Sequence, residues 1–477
     1  MSHRQRSHTR ALLVSFMILA VVFAGTGVSA DVTNDNLADA TVIDLSPLQG
    51  SIDGNNTGST REVDEPAPPD YSTSVWFAFT AVANERVVLE TPETSFDTLL
   101  AVYTDSTPLT PPTFADLTLV GRNDNTWNTG LATSRIAVDT LAGTTYYVMF
   151  GGVAPEDVGA FKLSWRRPEL ARVLWQHTNG AATVWAVDSR GTAAPGPVYG
   201  PFSGWQPAKI AVRPDRGTRI LWRHTNGAIS IWTVDTRGAL LTSSMYGPYP
   251  DWTVSDIFSQ GFQVLLTWRH ASGALGIWRL SYDADTVEDV KSFGPYPNWQ
   301  PVTSSGLPFF ATSPGDVMFS GNVRTLWLGN NGAIALWASN FGTLVHTSLA
   351  GSSPGWAPVN VAAGSLDGNT RILWRRSDGA VGMWRQRPNG SISSIAYGLV
   401  PGWEALQVEV GNGLTIASPH DVQLPAPGAD SDPRILWRGV TGRMALWRTD
   451  TAGSLTATFA YGPFAGWSPA HLAVGPE

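Results

Sequence analysis

Four short segments of this 477-residue chain read Tyr/Phe-Gly-Pro-Phe/Tyr-x-x-Trp, starting at Tyr199, Tyr246, Phe293 and Tyr461. Each sets two aromatic residues three apart on backbone rich in Gly and Pro: Phe202/Trp205, Tyr249/Trp252, Tyr296/Trp299 and Phe464/Trp467. Exposed rings of this kind offer an apolar face on which a carbohydrate can stack. Buried, the same rings would only anchor the connections between strands. A second chemistry is suggested by Glu62, Asp64, Glu65 and Asp124, whose carboxylates lie in acidic loops. Ca²⁺ wants several oxygen ligands at once, and these four are the candidates for it, although no EF-hand spacing is present. The plainer reading of the same residues is solvated loop charge. No catalytic constellation stands out. The eight His lack metal-ligand spacing, and there is no HExxH, nucleophile elbow or phosphate loop. Asp316 and Asp421 could be brought together by folding, but no catalytic residue is assigned, and a non-enzymatic binding protein is expected.

The elements that must position these residues are announced by composition. The chain holds 21 Trp, 48 Gly and 33 Pro, no Cys, and only 15% charged residues. Such a chain is neither disordered nor a disulfide scaffold. A large all-β fold punctuated by Gly remains. Acid is unevenly spread: residues 31–166 hold 19 Asp/Glu against 6 Lys/Arg, and residues 167–477 hold 20 against 22. Two regions of different charge suggest two domains. Neither carries a basic stripe, so nucleic acid is not an expected partner. Residues 1–30 read as a secretory signal. Arg4, Arg6 and Arg10 precede an apolar run from Ala11 to Gly25, and Val28-Ser29-Ala30 suits cleavage. No further run is long enough to span a membrane, so a secreted or periplasmic monomer is expected.

From Arg172 onward the chain repeats six times. Each unit has two Trp ten residues apart: Trp175/Trp185, Trp222/Trp232, Trp268/Trp278, Trp327/Trp337, Trp374/Trp384 and Trp437/Trp447. A Gly always sits five residues after the first Trp, often preceded by Asn or Asp, which signals a hairpin, most simply a type I′ turn. A third Trp follows on the Gly/Pro segment: Trp205, Trp252, Trp299, Trp356, Trp403 and Trp467. With a two-residue turn the first two Trp fall on opposite faces; with a three-residue loop they share one. Either register leaves both faces apolar, so each sheet must be covered on both sides. Radially stacked blades of a β-propeller do this. Two insertions precede the fourth and sixth units and share Ser-Pro-x-Asp-Val at Ser313 and Ser418.

The strings RILWRHTNGAISIW, RILWRRSDGAVGMW and RILWRGVTGRMALW resemble the ILWR-type variant of FG-GAP/VCBS repeats of bacterial secreted propellers. The Asp-rich Ca²⁺ loop of those repeats survives only in remnants at Asp215, Asp367 and Asp430. A weaker resemblance links the units to Trp-rich tectonin and fucose-lectin propellers, which implies sugar sites between blades. Arg172, Arg219, Arg324, Arg371 and Arg434 stand three residues before the first Trp, where stacking on that Trp is the structural expectation.

Before the repeats, Ser74–Thr80, Arg86–Thr91, Leu99–Tyr103, Ser134–Val138, Thr144–Phe150 and Ala160–Trp165 read as strands, with Asp53-Gly54-Asn55-Asn56 as a turn. SVWFAFT at 74–80, Ser95-Phe96-Asp97-Thr98-Leu99-Leu100, Asn123-Asp124-Asn125 and Gly143-Thr144-Thr145-Tyr146-Tyr147 resemble, in this order, bacterial pre-peptidase C-terminal-like domains. That resemblance implies a non-catalytic jelly roll, some relatives of which bind Ca²⁺. The expected architecture is therefore a signal peptide (1–30), an antiparallel jelly-roll or β-sandwich (31–166) and a six-bladed β-propeller (167–477). The expected partner is a carbohydrate or a glycan-bearing surface. The alternatives are an extracellular protein partner of a display scaffold, or service as an accessory module of a secreted hydrolase.

Overall fold

The computed structural model describes residues 32–475 apart from 46–48, 67–70, 83–84, 93, 106–111, 125–132, 168–170, 189, 214–216, 261–262, 307–322, 342, 365–366 and 412–431. The signal segment, Trp127, Asp316 and Asp421 lie outside the described residues. The described fold is all-β, with three single-turn 3₁₀ segments and no helix long and apolar enough to cross a membrane.

Two sheets form the N-terminal part. One has five strands, with Thr73–Thr80, Thr145–Gly152 and Thr98–Asp105 side by side at its centre. The other has four, with Ala160–Arg166 between Gln49–Asn55 and Glu85–Glu90. Alternate residues of both sheets, including Phe77, Phe79, Leu89, Phe150 and Trp165, meet in one core. The expected strands are all present, but the turn at Asp53–Asn56 is not: Gln49–Asn55 is a strand. Its glycines misled the reading. A Cβ on Gly50 or Gly54 would lie 2.3 Å from the ring of Trp165 or Phe161, so these glycines make room for aromatic rings on the neighbouring strand.

The described residues of 171–474 form six four-stranded sheets. The innermost strands are Trp205–Val212, Trp252–Gln260, Trp299–Gly306, Trp356–Ala363, Trp403–Val410 and Trp467–Val474. Each packs on the next, and the last packs on the first, which closes a ring with β-propeller architecture. The first sheet takes three strands from Ala171–Tyr199 and its innermost strand from the C-terminal Trp467–Val474. The ring is thus fastened by pairing the two ends of the repeat region.

The hairpin register is the three-residue one. Trp222 pairs with Ser230 and Ile220 with Trp232, so both Trp share a face at 5.2 Å between ring centroids. The His224 and Gly227 amides close the loop, Gly227 takes φ 90°, and Asn226 stays at negative φ. The expected type I′ turn is therefore replaced by a loop with one left-handed Gly. The Asn226 side chain accepts the Ala228 amide at 2.9 Å instead. Trp222 and Ile220 face the first sheet, while Leu221, Ile229 and Ile231 face the third. All six first Trp are at most 2% exposed. Burying one such ring removes roughly 200 Å² from water, about 5 kcal/mol gross.

The buried Arg of the repeats point away from the first Trp of their own strand. Arg219, Arg324 and Arg371 are fully buried, three residues from the first Trp and hence on the opposite face of the strand. Arg219 donates to Ser259 Oγ at 2.7 Å and to the Tyr282 carbonyl in the next sheet. Arg371 pairs with Asp367. Arg219 and Arg371 thus tie loops to sheets.

The N-terminal sheets and the ring meet at Glu85. Its carboxylate accepts from Arg167, at 2.5 and 2.8 Å, and from Arg190. Burial alone would raise its pKa, but the two guanidiniums overcome this and lower it.

Candidate functional site: a tryptophan rim and a polar channel

Each innermost strand starts at a third Trp, so the six of them mark one edge of the ring. Gly306 and Val410, after which the two insertions begin in the sequence, lie at the opposite ends of these strands. All six rim Trp are half-buried, neither core nor fully exposed. For four of them the cross-strand partner explains this. Trp205, Trp252 and Trp467 each lie across from a His (His224, His270 and His177), with ring centroids 4.9 Å apart. Trp356 lies against Arg376 at 5.5 Å. Trp299 and Trp403 lie across from Gly329 and Gly439 and pack instead on the clusters that hold Trp327 and Trp437.

The other four predicted aromatics act mainly as plugs. Phe202 sets its edge against Trp222 and Trp232 of the next hairpin, at 5.4 and 5.2 Å. Tyr249, Tyr296 and Phe464 do the same to the Trp pairs 268/278, 327/337 and 175/185. The loop is tightened where the amide of the third Trp donates to the carbonyl three residues earlier, in all six units. In the fourth loop that earlier residue is Ser353, and among the described residues no Phe or Tyr edge seals Trp374 and Trp384, which lie 4.5 Å apart. A cleft of 210 Å³ opens there, lined by Ser353, Trp356, Trp374, Trp384, Ser394 and Ile395. In the fifth loop Val400 occupies the plug position and packs beside Trp437 and Trp447.

A second feature was missed by sequence reasoning. The innermost strands are edge strands, so half of their backbone groups point into the central channel without a strand partner. Four residues after each rim Trp, just beyond a β-bulge, stands a polar side chain: Lys209, Asp256, Thr303, Asn360, Gln407 and His471. Five of them accept the amide of the next inner strand. His471 Nδ1 takes Ile210 N–H at 3.3 Å, Asp256 takes Ser304 at 3.0 Å, and Thr303 takes Val361 at 3.0 Å. Asn360 takes Val408 and Gln407 takes Leu472, both at 2.9 Å. Lys209 has no acceptor to offer and its ammonium pairs with Asp256 at 3.1 Å. A polar girdle thus links the six sheets around a cavity of 130 Å³. Desolvation, then Lys209, hold the His471 pKa well below its usual value. Desolvation pushes Glu409, two residues beyond Gln407, up to about 8. The signal that could have found the girdle is the recurrence of a polar residue at the fourth position after every third Trp.

The acidic loop residues are spent locally. Glu62 accepts the Leu37 amide at 2.6 Å, and Glu65 accepts the Glu62 amide at 2.8 Å. Asp64 is exposed at positive φ. Asp124 is buried near Asp97, whose pKa rises to about 6 through desolvation and the charges of Asp157 and Asp124. Glu62 and Glu65 are thus brought together, Asp124 stands with Asp97 instead, and no group of three or more His, Asp or Glu able to hold a metal occurs among the described residues.

No family model and no curated protein matches this chain. Among solved structures, AofleA of Arthrobotrys oligospora is similar at 11% identity and a TM-score of 0.41, over 64% of this chain and 91% of that one. The SapL1 lectin in complex with alpha methyl fucoside is similar at 9% identity and a TM-score of 0.34, over 61% and 97%. A protein described as a putative 6-phosphogluconolactonase of Bacteroides fragilis is similar at 12% identity and a TM-score of 0.37, over 80% and 99%. At these values the likenesses carry neither a ligand nor an activity over to this chain. The architecture rests on the sheet order itself.

Proposed function

We infer that the chain is an exported, non-catalytic protein that binds carbohydrate at the Trp rim of a six-bladed propeller, carried behind a jelly-roll sandwich. One observation carries the reading. In four units the Trp pair of a hairpin is sealed by the edge of a Phe or Tyr ring, whereas Trp374 and Trp384 keep an open cleft walled by Trp356. Three indoles there can meet the C–H face of a pyranose, and Ser353 and Ser394 supply hydroxyls at its edge. A flat apolar slot with a few polar groups at its mouth is what a sugar of modest affinity needs. Ser353→Phe places a plug where the sister loops have one. It should abolish sugar binding, measured by glycan array and by titration of Trp fluorescence, while raising the melting temperature. Sugar binding that survives Ser353→Phe and Trp356→Ala in folded protein would overturn the reading, as would a blank array for the unmodified protein.

A further inference from the structure

The grooves between adjacent sheets carry a pattern that the repeat makes readable. Glu404 follows the rim Trp403 and lies across from Arg438 of its own sheet. Its carboxylate accepts from Arg438 Nη2 at 2.5 Å and also from Arg375 Nη1 of the preceding sheet. Burial would raise the Glu404 pKa, but the hydrogen bonds from the two Arg lower it. One carboxylate thus satisfies two guanidiniums across a sheet boundary.

The same three positions recur three sheets earlier. Thr253 follows the rim Trp252 and lies across from Arg269, and the preceding sheet supplies Arg223. These two Arg have Thr253 where the sister groove has Glu404. Among the described residues no carboxylate pairs with either Arg223 or Arg269, and Arg269 donates only a long bond, 3.4 Å, to the Pro301 carbonyl. Desolvation, then the charge of Arg269, lower the Arg223 pKa. Of the six grooves this alone sets two Arg against a neutral residue at the central position. The space is there as well. A cavity of 280 Å³ is lined by Arg223, Trp252 and Thr253, and an adjoining one of 560 Å³ by Tyr249, Trp252, Arg269 and His270. These volumes suit a ligand of one or a few rings.

We propose that this groove binds a carboxylate-bearing sugar, a hexuronate residue, with its carboxylate held between Arg223 and Arg269 as Glu404 is held between Arg375 and Arg438. Planar guanidiniums and a carboxylate match in charge and geometry. The indole of Trp252 supplies the face for the sugar ring. The inference rests on the carbohydrate reading and names a ligand class at a second place on the same rim.

The test compares methyl glucuronide with methyl glucoside, which differs only in bearing CH₂OH in place of the carboxylate, by calorimetric titration of the full chain. The glucuronide should bind at least tenfold more tightly than the glucoside, and the preference should shrink as salt is added. Thr253→Glu supplies the missing carboxylate from within. It should erase the preference and raise the melting temperature, because Arg223 and Arg269 gain a partner. Arg223→Gln should also erase the preference, which keeps the test decisive if Thr253→Glu fails to fold. Equal binding of the two sugars, or a preference that survives either substitution in folded protein, would overturn the proposal and leave the carbohydrate reading standing. Binding of neither sugar, with a blank glycan array, would overturn both.

Discussion

Replacing Asn360 tests whether the polar girdle holds the ring together. Asn360 Oδ1 accepts the Val408 amide at 2.9 Å, and its Nδ2 donates to the Val408 carbonyl at 2.8 Å. Both residues are buried. Asn360→Ala leaves two backbone groups of an edge strand without their partner. A dry unsatisfied group costs about 1–3 kcal/mol, but the polar channel beside them is roomy enough for water to take over part of the bonding. The expected loss is therefore about 2 kcal/mol. For a fold of this size that lowers the melting temperature by about 2–3 °C. Asn360→Leu fills the same space with carbon and keeps water away, so it should cost more, about 4 kcal/mol. This order is the discriminating part. If burial of apolar surface governed the site, Leu would be the better replacement. Chemical denaturation of the three proteins gives the stabilities, and hydrogen exchange should show the Val408 amide losing protection in both variants. A Leu variant as stable as the unmodified protein, with Val408 still protected, would refute the reasoning.

Two further outcomes follow from burial and charge. Trp222 is 1% exposed and Trp252 half-buried, so Trp222→Ala should cost about 3–5 kcal/mol and Trp252→Ala roughly a third of that, as compared by urea unfolding. Glu409 has its folded pKa raised to about 8 by desolvation, among Lys209, Asp256 and His471. A carboxyl raised in the folded state contributes stability below its unfolded pKa of about 4.5 and loses it as pH climbs towards 8. Glu409→Gln should therefore be more stable than the unmodified protein at pH 9 and close to it at pH 4, and parallel melting curves across that range would contradict this.

Much of the fold was legible because it is repeated. Ten-residue Trp spacing, a Gly at the fifth position and apolar residues on both faces announce stacked hairpins, and the six sheets have their strands where these signals fall. Single positions were less legible. Asp53–Asn56 reads as a turn because turn residues and small residues look alike in one dimension, yet Gly50 and Gly54 are small to admit Trp165 and Phe161. Asn226-Gly227 reads as a two-residue turn, but only Gly227 takes positive φ. The buried Arg read as partners of Trp, though the strand's alternation sends them to the other face.

The candidate site divides the same way. Residue types alone set the aromatic loops apart and separated twelve hairpin Trp from six others. They also left those six undecided, since burial depends on what packs against each ring: His224, His270 and His177 for three, Arg376 for another, and the clusters around Trp327 and Trp437 for the two that face Gly. The local pattern determined that the chain builds hairpins with two apolar faces, because periodicity and turn chemistry act over about ten residues. Only the closed ring decided which side chains meet in the channel and that Arg223 and Arg269 stand together without an acid. Each of those contacts joins residues from different sheets, and no local preference encodes a distance that ring closure alone sets.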